Sequence, residues 1–200
     1  MNPLNTIKGT IIAGVVLAIV IGLLTMGISL NELSLIVWIH VLAGITWIGL
    51  LYYFNFVQVP ALAQAAADKG GPGGAGISKY VAPRALLWFR WGAVVTWLSG
   101  ATYLFRIHQL DDAFMLGLNA GAAGNATVIG VGAWLGTIML FNVWVLIWPN
   151  QKKVLGIVEA TAEQITKARR VAFLASRMNT VLSVPMIMSM VGYGHGGFFV

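Results

Sequence analysis

SLIVWIHVLAGITWIGLLYYFNFV, residues Ser34–Val57, runs for twenty-four positions without an acidic residue, a lysine or an arginine. His40 is the one side chain in it that ionises near neutral pH. A helix crosses the hydrocarbon core of a bilayer in about 20 mostly apolar residues, so this stretch is long enough to span a membrane. It lacks the period-2 alternation of a barrel strand, and a span that is not a closed barrel must be helical to satisfy its own backbone. Four further stretches read the same way: Thr10–Ile28, Leu86–Phe105, Thr127–Trp148 and Ala172–Val191. The expectation is an all-α integral membrane bundle of five transmembrane helices, a single helical domain over residues 1–200.

Composition agrees with that reading. The chain is 58% hydrophobic and 9% charged, with mean hydropathy +0.84, whereas a soluble domain averages about 45–50% apolar and about 25% charged residues. So few charges cannot cover a water-facing surface, which excludes a soluble enzyme. Cysteine is absent, which excludes disulfides, thiolate zinc sites, iron–sulfur clusters and covalently attached c-type haem. The net charge of +6 reads as loop charge that sets topology; the bilayer is the expected partner, and no nucleic acid is.

Lys8, Lys69, Lys79, Arg84, Lys152, Lys153, Lys167, Arg169 and Arg170 fall on one side of the five spans, and Arg106 alone on the other, a bias of nine to one. Positive charge stays inside, so the amino terminus is expected in the cytoplasm and the carboxyl terminus in the periplasm. Localisation follows as multi-pass in a bacterial inner membrane. The first apolar run exceeds the 7–15 residues of a signal peptide core and reads as a retained helix. Lys69–Gly76 (KGGPGGAG) reads as a flexible linker, Val154–Ala168 as an amphipathic surface helix, and Gln109–Asn125 as an interfacial or re-entrant segment.

All six acidic residues lie in loops, so a carboxylate proton relay through the membrane has no residues to use. The three histidines, His40, His108 and His195, all fall towards the outer side. His40 is embedded in the second span, with Gly44 at i+4 and Trp47 at i+7 on its face. Such a histidine suits ligation of haem iron, the glycine leaving room for a flat macrocycle. It equally suits a hydrogen bond to a neighbouring helix, with Gly44 as a packing site; spacing leaves both open. His195, in VGYGHGGFF, is expected in a turn, and His108 in FRIHQLDD at the interface. No H-x-x-x-H pair favours a bare metal ion over haem.

Towards the inner side, Arg90 and Arg177 sit inside spans with Asn55, Gln58, Asn142 and Asn179 nearby. Two arginines buried in a membrane require anions, such as haem propionates, lipid phosphates or an anionic substrate, or they snorkel to phosphates. Gly130, Gly132 and Gly136 mark a packing face, Pro185 falls within the fifth span, and Met186, Met188 and Met190 recur at every second position.

Four blocks carry a resemblance: His40–Pro60 (HVLAGITWIGLLYYFNFVQVP), Pro83–Trp91 (PRALLWFRW), Gly136–Gln151 (GTIMLFNVWVLIWPNQ) and Ala168–Met186 (ARRVAFLASRMNTVLSVPM). Together they resemble the membrane region of the bacterial urate oxidase (urate hydroxylase) amino-terminal family. In that family the membrane part is joined to a carboxyl-terminal c-type cytochrome domain and serves purine degradation. This chain departs from the pattern: it has no Cys-x-x-Cys-His haem attachment and ends at Val200, without the cytochrome domain.

The leading expectation is a membrane-embedded electron-transfer protein holding haem b, His40 one axial ligand, His195 the second and His108 behind it. Gly44, Trp47, Arg90 and Arg177 complete the expected cofactor contacts. The expected partners are a cytochrome c or the subunits of a larger redox or respiratory assembly. Two other readings stay open: a cofactor-free accessory subunit, and the membrane part of a urate-oxidising enzyme.

Overall fold

Helix is the regular structure found among the described residues, which in this computed structural model are 2–27, 29–119, 121–122 and 124–197. They divide into two compact units, Met1–Leu35 and Ile36–Val200.

The first unit is dominated by α1 (Ile7–Met26). Thr6 caps it, its Oγ1 accepting from Gly9 N at 3.0 Å, and Gly27 ends it at φ 82°, a backbone angle that glycine adopts without strain. The expected carboxyl-terminal boundary, Ile28, lies outside the described residues. Apolar side chains surround α1 on all sides and are largely exposed, the pattern of a membrane span rather than of a surface helix.

Seven further helices follow: α2 (Glu32–Tyr52), α3 (Val59–Ala67), α4 (Ala82–Arg106), α5 (Leu110–Phe114), α6 (Ala126–Phe141), α7 (Trp148–Val154) and α8 (Ala162–His195). Three π-helical turns join or precede them, at Tyr53–Gln58, Ile77–Val81 and Asn142–Ile147. The expected linker after α3 is realised as turns and bends. The expected amphipathic helix over Val154–Ala168 is not: α7 ends at Val154, and residues from Ala162 belong to α8. The cause is a capping box at Thr161 and Gln164, each side chain accepting from the other's main chain, which starts a new helix there. At its other end α8 runs on through Gly192 and Gly194 to His195, and the turn falls at Gly196, with φ 82°. His195 is thus a helical residue, not a turn residue.

Four helical stretches are long and apolar enough to cross a membrane: Ile7–Thr25, Glu32–Ala67, Ala126–Val154 and Ala162–His195. This is the build of a multi-pass membrane protein. The third expected span is helical as well, α4 having 25 residues, but it is not among these four stretches.

In the second unit small residues set the helix spacing, as they do between membrane helices. Gly92 of α4 stands against Trp47 N of α2, where a Cβ would come within 3.3 Å, and Gly132 of α6 stands against Ser189 of α8. Trp47, Leu51, Phe89, Met139 and Val143 fill the core so formed. Buried polar bonds converge on one face of α8. Asn55 Nδ2 donates to Ser176 Oγ at 2.8 Å, and Asn142 Nδ2 donates to Asn179 Oδ1 at 2.8 Å. Tyr52 OH bonds Ser183 Oγ at 2.9 Å. Both asparagine donors belong to π turns. Asn55 Nδ2 also donates to Leu51 O at 2.8 Å, and Asn179 Nδ2 donates to Met139 O at 3.0 Å, so amide side chains reach carbonyls at the entrance to these two π turns.

Candidate functional site

His40 lies on α2 where that helix crosses α4. Its Nδ1 is 2.8 Å from the Thr96 carbonyl oxygen. A carbonyl only accepts, so Nδ1 carries the proton and donates, leaving Nε2 as the ring's lone-pair nitrogen. The same carbonyl also accepts from Ser99 Oγ at 3.1 Å, while Thr96 Oγ1 donates back to Gly92 O at 2.7 Å. A histidine whose Nδ1 is tied to a carbonyl has its tautomer and ring angle chosen for ligation through Nε2.

That ring forms one wall of a cavity of about 430 Å³, walled almost entirely by apolar surface. The volume falls within the about 300–1,000 Å³ of small-molecule and cofactor sites. His195 lines the same cavity from the end of α8. Its Nδ1 donates to Val191 O, one turn back, at 2.9 Å, again leaving Nε2 as the lone-pair nitrogen. The two histidines are 155 positions apart in the chain by their numbers, yet the crossing of α2, α4, α6 and α8 brings both to one cavity.

Other expected site residues distribute differently. Trp47 lines the cavity, is 1% exposed, and its Nε1–H has no acceptor among the described residues. Gly44 does not line it: a Cβ there would meet Thr96 Cγ2 at 3.8 Å, so Gly44 serves the α2–α4 crossing. His108 sits in the turn after α4 with φ 57°, exposed and away from the cavity. Neither arginine reaches the cavity. Arg90 is half-buried with its guanidinium 3.8 Å from the centre of the Trp148 ring. Arg177, expected to be buried, is exposed on the outer face of α8, 5.2 Å from the centre of the Phe173 ring. An aromatic face stabilises a cation without an anion. Met186 and Met190, one turn apart, both line the cavity, while Met188 is exposed.

Some residues of this site carry no signal in the sequence. Gly100 of α4 stands against the imidazole: a Cβ there would lie 2.9 Å from His40 Cε1 and 3.1 Å from Nδ1. Gly136 forms cavity wall, with open space where its Cβ would point. Two hydrogen bonds brace the walls, Trp97 Nε1 to Thr137 Oγ1 and Tyr193 OH to Gln109 Oε1, both 2.8 Å. Among the described residues no three His, Asp or Glu side chains converge on one point. The arrangement therefore offers two imidazoles lining one apolar enclosure.

A protein-family model described as "Urate oxidase N-terminal" matches residues 27–120 and 112–199, together most of the chain. No curated protein and no solved structure matches.

Proposed function

The chain belongs to the urate oxidase N-terminal family, and from that membership and its two-histidine cavity we propose that it is a membrane-embedded electron-transfer protein holding a b-type haem. The observation that carries the proposal is the bond from His40 Nδ1 to the Thr96 carbonyl at 2.8 Å, which leaves Nε2 available beside an apolar cavity. His195, from the same cavity, would be the second residue to hold the haem. A haem bound there would accept and release one electron at a time.

The fit rests on residues of this chain. Two imidazoles line one cavity, and each has Nδ1 satisfied by a carbonyl. The apolar wall excludes water, which favours a neutral imidazole ligand and a buried macrocycle. Gly100 leaves room for the His40 imidazole, and Gly136 puts no side chain into the cavity. Trp47 Nε1–H, without a protein acceptor among the described residues, is a donor for a polar edge of the guest.

In this reading all five expected spans cross a bacterial inner membrane, α4 included, with the amino terminus in the cytoplasm and the cavity towards the periplasm. A cytochrome c, or subunits of a larger respiratory assembly, would exchange electrons with the site. The test is the absorption spectrum of the protein purified in mild detergent. A Soret band and a spectrum that changes on reduction are expected. A folded preparation that stays colourless after haem is supplied would instead support a cofactor-free accessory subunit.

A second reading follows from the family's description: the chain is the membrane part of a urate-oxidising enzyme. Consumption of urate by the purified protein with an added electron acceptor distinguishes this from electron transfer alone.

A further inference from the structure

The three π-helical turns lie far apart in sequence, yet all three contribute to one second cavity. Phe54, Asn55 and Gln58 come from the first, Ser78 from the second and Ile147 from the third. A π turn inserts one residue into a helix at the expense of good hydrogen-bond geometry, and such turns gather at functional sites. The cavity has a volume of about 650 Å³ and shares no lining residue with the one at His40.

Its walls state what would fill it. Gln58 is 9% exposed, and its Oε1 is buried with no hydrogen-bond partner among the described residues. A buried carbonyl left without a donor is destabilising; what it lacks is an O–H or N–H. Asn55, one turn away, does not supply it, since its Nδ2 donates to Leu51 O and Ser176 Oγ. Arg169 and Arg170, exposed on the third turn of α8, line the cavity as well and bring two positive charges suited to a phosphate. Ser78, Gln151, Thr166 and Ser176 add polar wall, and the apolar part is where Phe54 and Phe89 meet edge to face at 5.4 Å, with Leu62 and Leu86 also lining it. An occupant must therefore combine an anion, a hydrogen-bond donor and an apolar body. A hydroquinone offers donors but no anion for the arginines, and an inorganic anion offers nothing to the apolar wall.

We propose that this cavity binds the glycerophosphate headgroup of an anionic, hydroxyl-bearing phospholipid. The phosphodiester faces Arg169 and Arg170, a headgroup hydroxyl donates to Gln58 Oε1, and the apolar wall takes the first part of an acyl chain. Basic pockets between membrane helices are suited to such headgroups.

The test is lipid retention measured by native mass spectrometry on the full chain, released from nanodiscs that contain three lipids in equal amounts. Phosphatidylglycerol has the anion and the hydroxyls, phosphatidylmethanol has the anion alone, and phosphatidylcholine has neither net charge nor donor. Retention is expected to be about tenfold higher for phosphatidylglycerol than for phosphatidylcholine, with phosphatidylmethanol between them. Gln58→Met, which keeps the side-chain length and removes the carbonyl, should lower phosphatidylglycerol to the level of phosphatidylmethanol. Arg169→Gln with Arg170→Gln should lower both anionic lipids to the level of phosphatidylcholine. Equal retention of the three lipids by the unaltered protein overturns the proposal. So does a preference for phosphatidylglycerol over phosphatidylmethanol that survives Gln58→Met, because the contact would then lie elsewhere. Soluble glycerol 1-phosphate is the remaining arm: if it displaces the bound lipid at equimolar concentration, the ligand is a free phosphate ester and the lipid assignment falls. Comparing the two anionic lipids on the unaltered protein tests the Gln58 contact even where a variant does not fold.

Discussion

Gly100 of α4 stands directly against the imidazole of His40, so that a methyl group at Gly100 would lie 2.9 Å from His40 Cε1. That is inside van der Waals contact, and the ring is held against the same helix by the 2.8 Å bond from Nδ1 to Thr96 O, one turn before Gly100. Gly100→Ala must therefore shift the ring or part α2 from α4. If His40 ligates haem, the variant should show a displaced or broadened Soret band at unchanged helix content. Gly100→Leu should lose the pigment. A Gly100→Ala spectrum identical to the parent's would place the ligand elsewhere.

The two histidines make a paired prediction. His40→Ala removes the imidazole oriented by Thr96 and should abolish or strongly shift the spectrum while circular dichroism stays helical. His195→Ala removes the ring from the exposed end of α8. With bis-histidine ligation the two variants should match. A much milder effect of His195→Ala would mean that water or another side chain takes the sixth position. His108→Ala should leave the spectrum as it is, because His108 lies outside the cavity.

What the sequence disclosed, and what it withheld, follows from the range of each signal. Helical spans are written in contiguous apolar runs, so α1, α2, α6 and α8 were legible, as was His40 as an ionisable group inside one of them. The glycine beside His40 was sought four residues along the same helix, at Gly44, whereas it is Gly100 on a neighbouring helix. No local periodicity encodes that pairing. A π turn adds a single residue to a 3.6-residue repeat, too small a phase change to read from apolar spacing, so of the second cavity only Asn55 and Gln58, polar residues near the inner side, stood out in the sequence. The burial expected of Arg177 failed for a related reason: being inside a span does not say which face of the helix a residue occupies, and Arg177 faces outward over Phe173. The capping box at Thr161 and Gln164 was legible in principle, but the polar stretch around it obscured the start of α8.

The amide pair in the core makes a stability prediction. Asn179 accepts from Asn142 Nδ2 and donates to Met139 O, and it is 0% exposed. Asn179→Leu leaves the buried Asn142 Nδ2 donor without a partner, at about 1–3 kcal/mol for an unmet buried group, and removes a second bond, to the Met139 carbonyl, which still accepts from Asn142 N. Asn142→Leu should cost less, since it strands only one acceptor. In thermal unfolding in detergent, the double variant should lose less stability than the sum of the two singles, because the pair shares one hydrogen bond. Additive losses would mean that the two amides act independently.

The last prediction concerns orientation. The charged loops divide nine to one in Lys and Arg, and the positive-inside rule then fixes the sides. Asp112 lies on α5, beyond the Arg106 end of α4, and Lys153 lies at the basic end of α7. The chain has no native cysteine, so single substitutions can be labelled without background. A membrane-impermeant maleimide added to intact cells stripped of their outer membrane should label Asp112→Cys and spare Lys153→Cys. Permeabilising the inner membrane should expose the second probe. The reverse pattern would put the His40–His195 cavity on the cytoplasmic side, and a periplasmic cytochrome could then no longer be its electron partner.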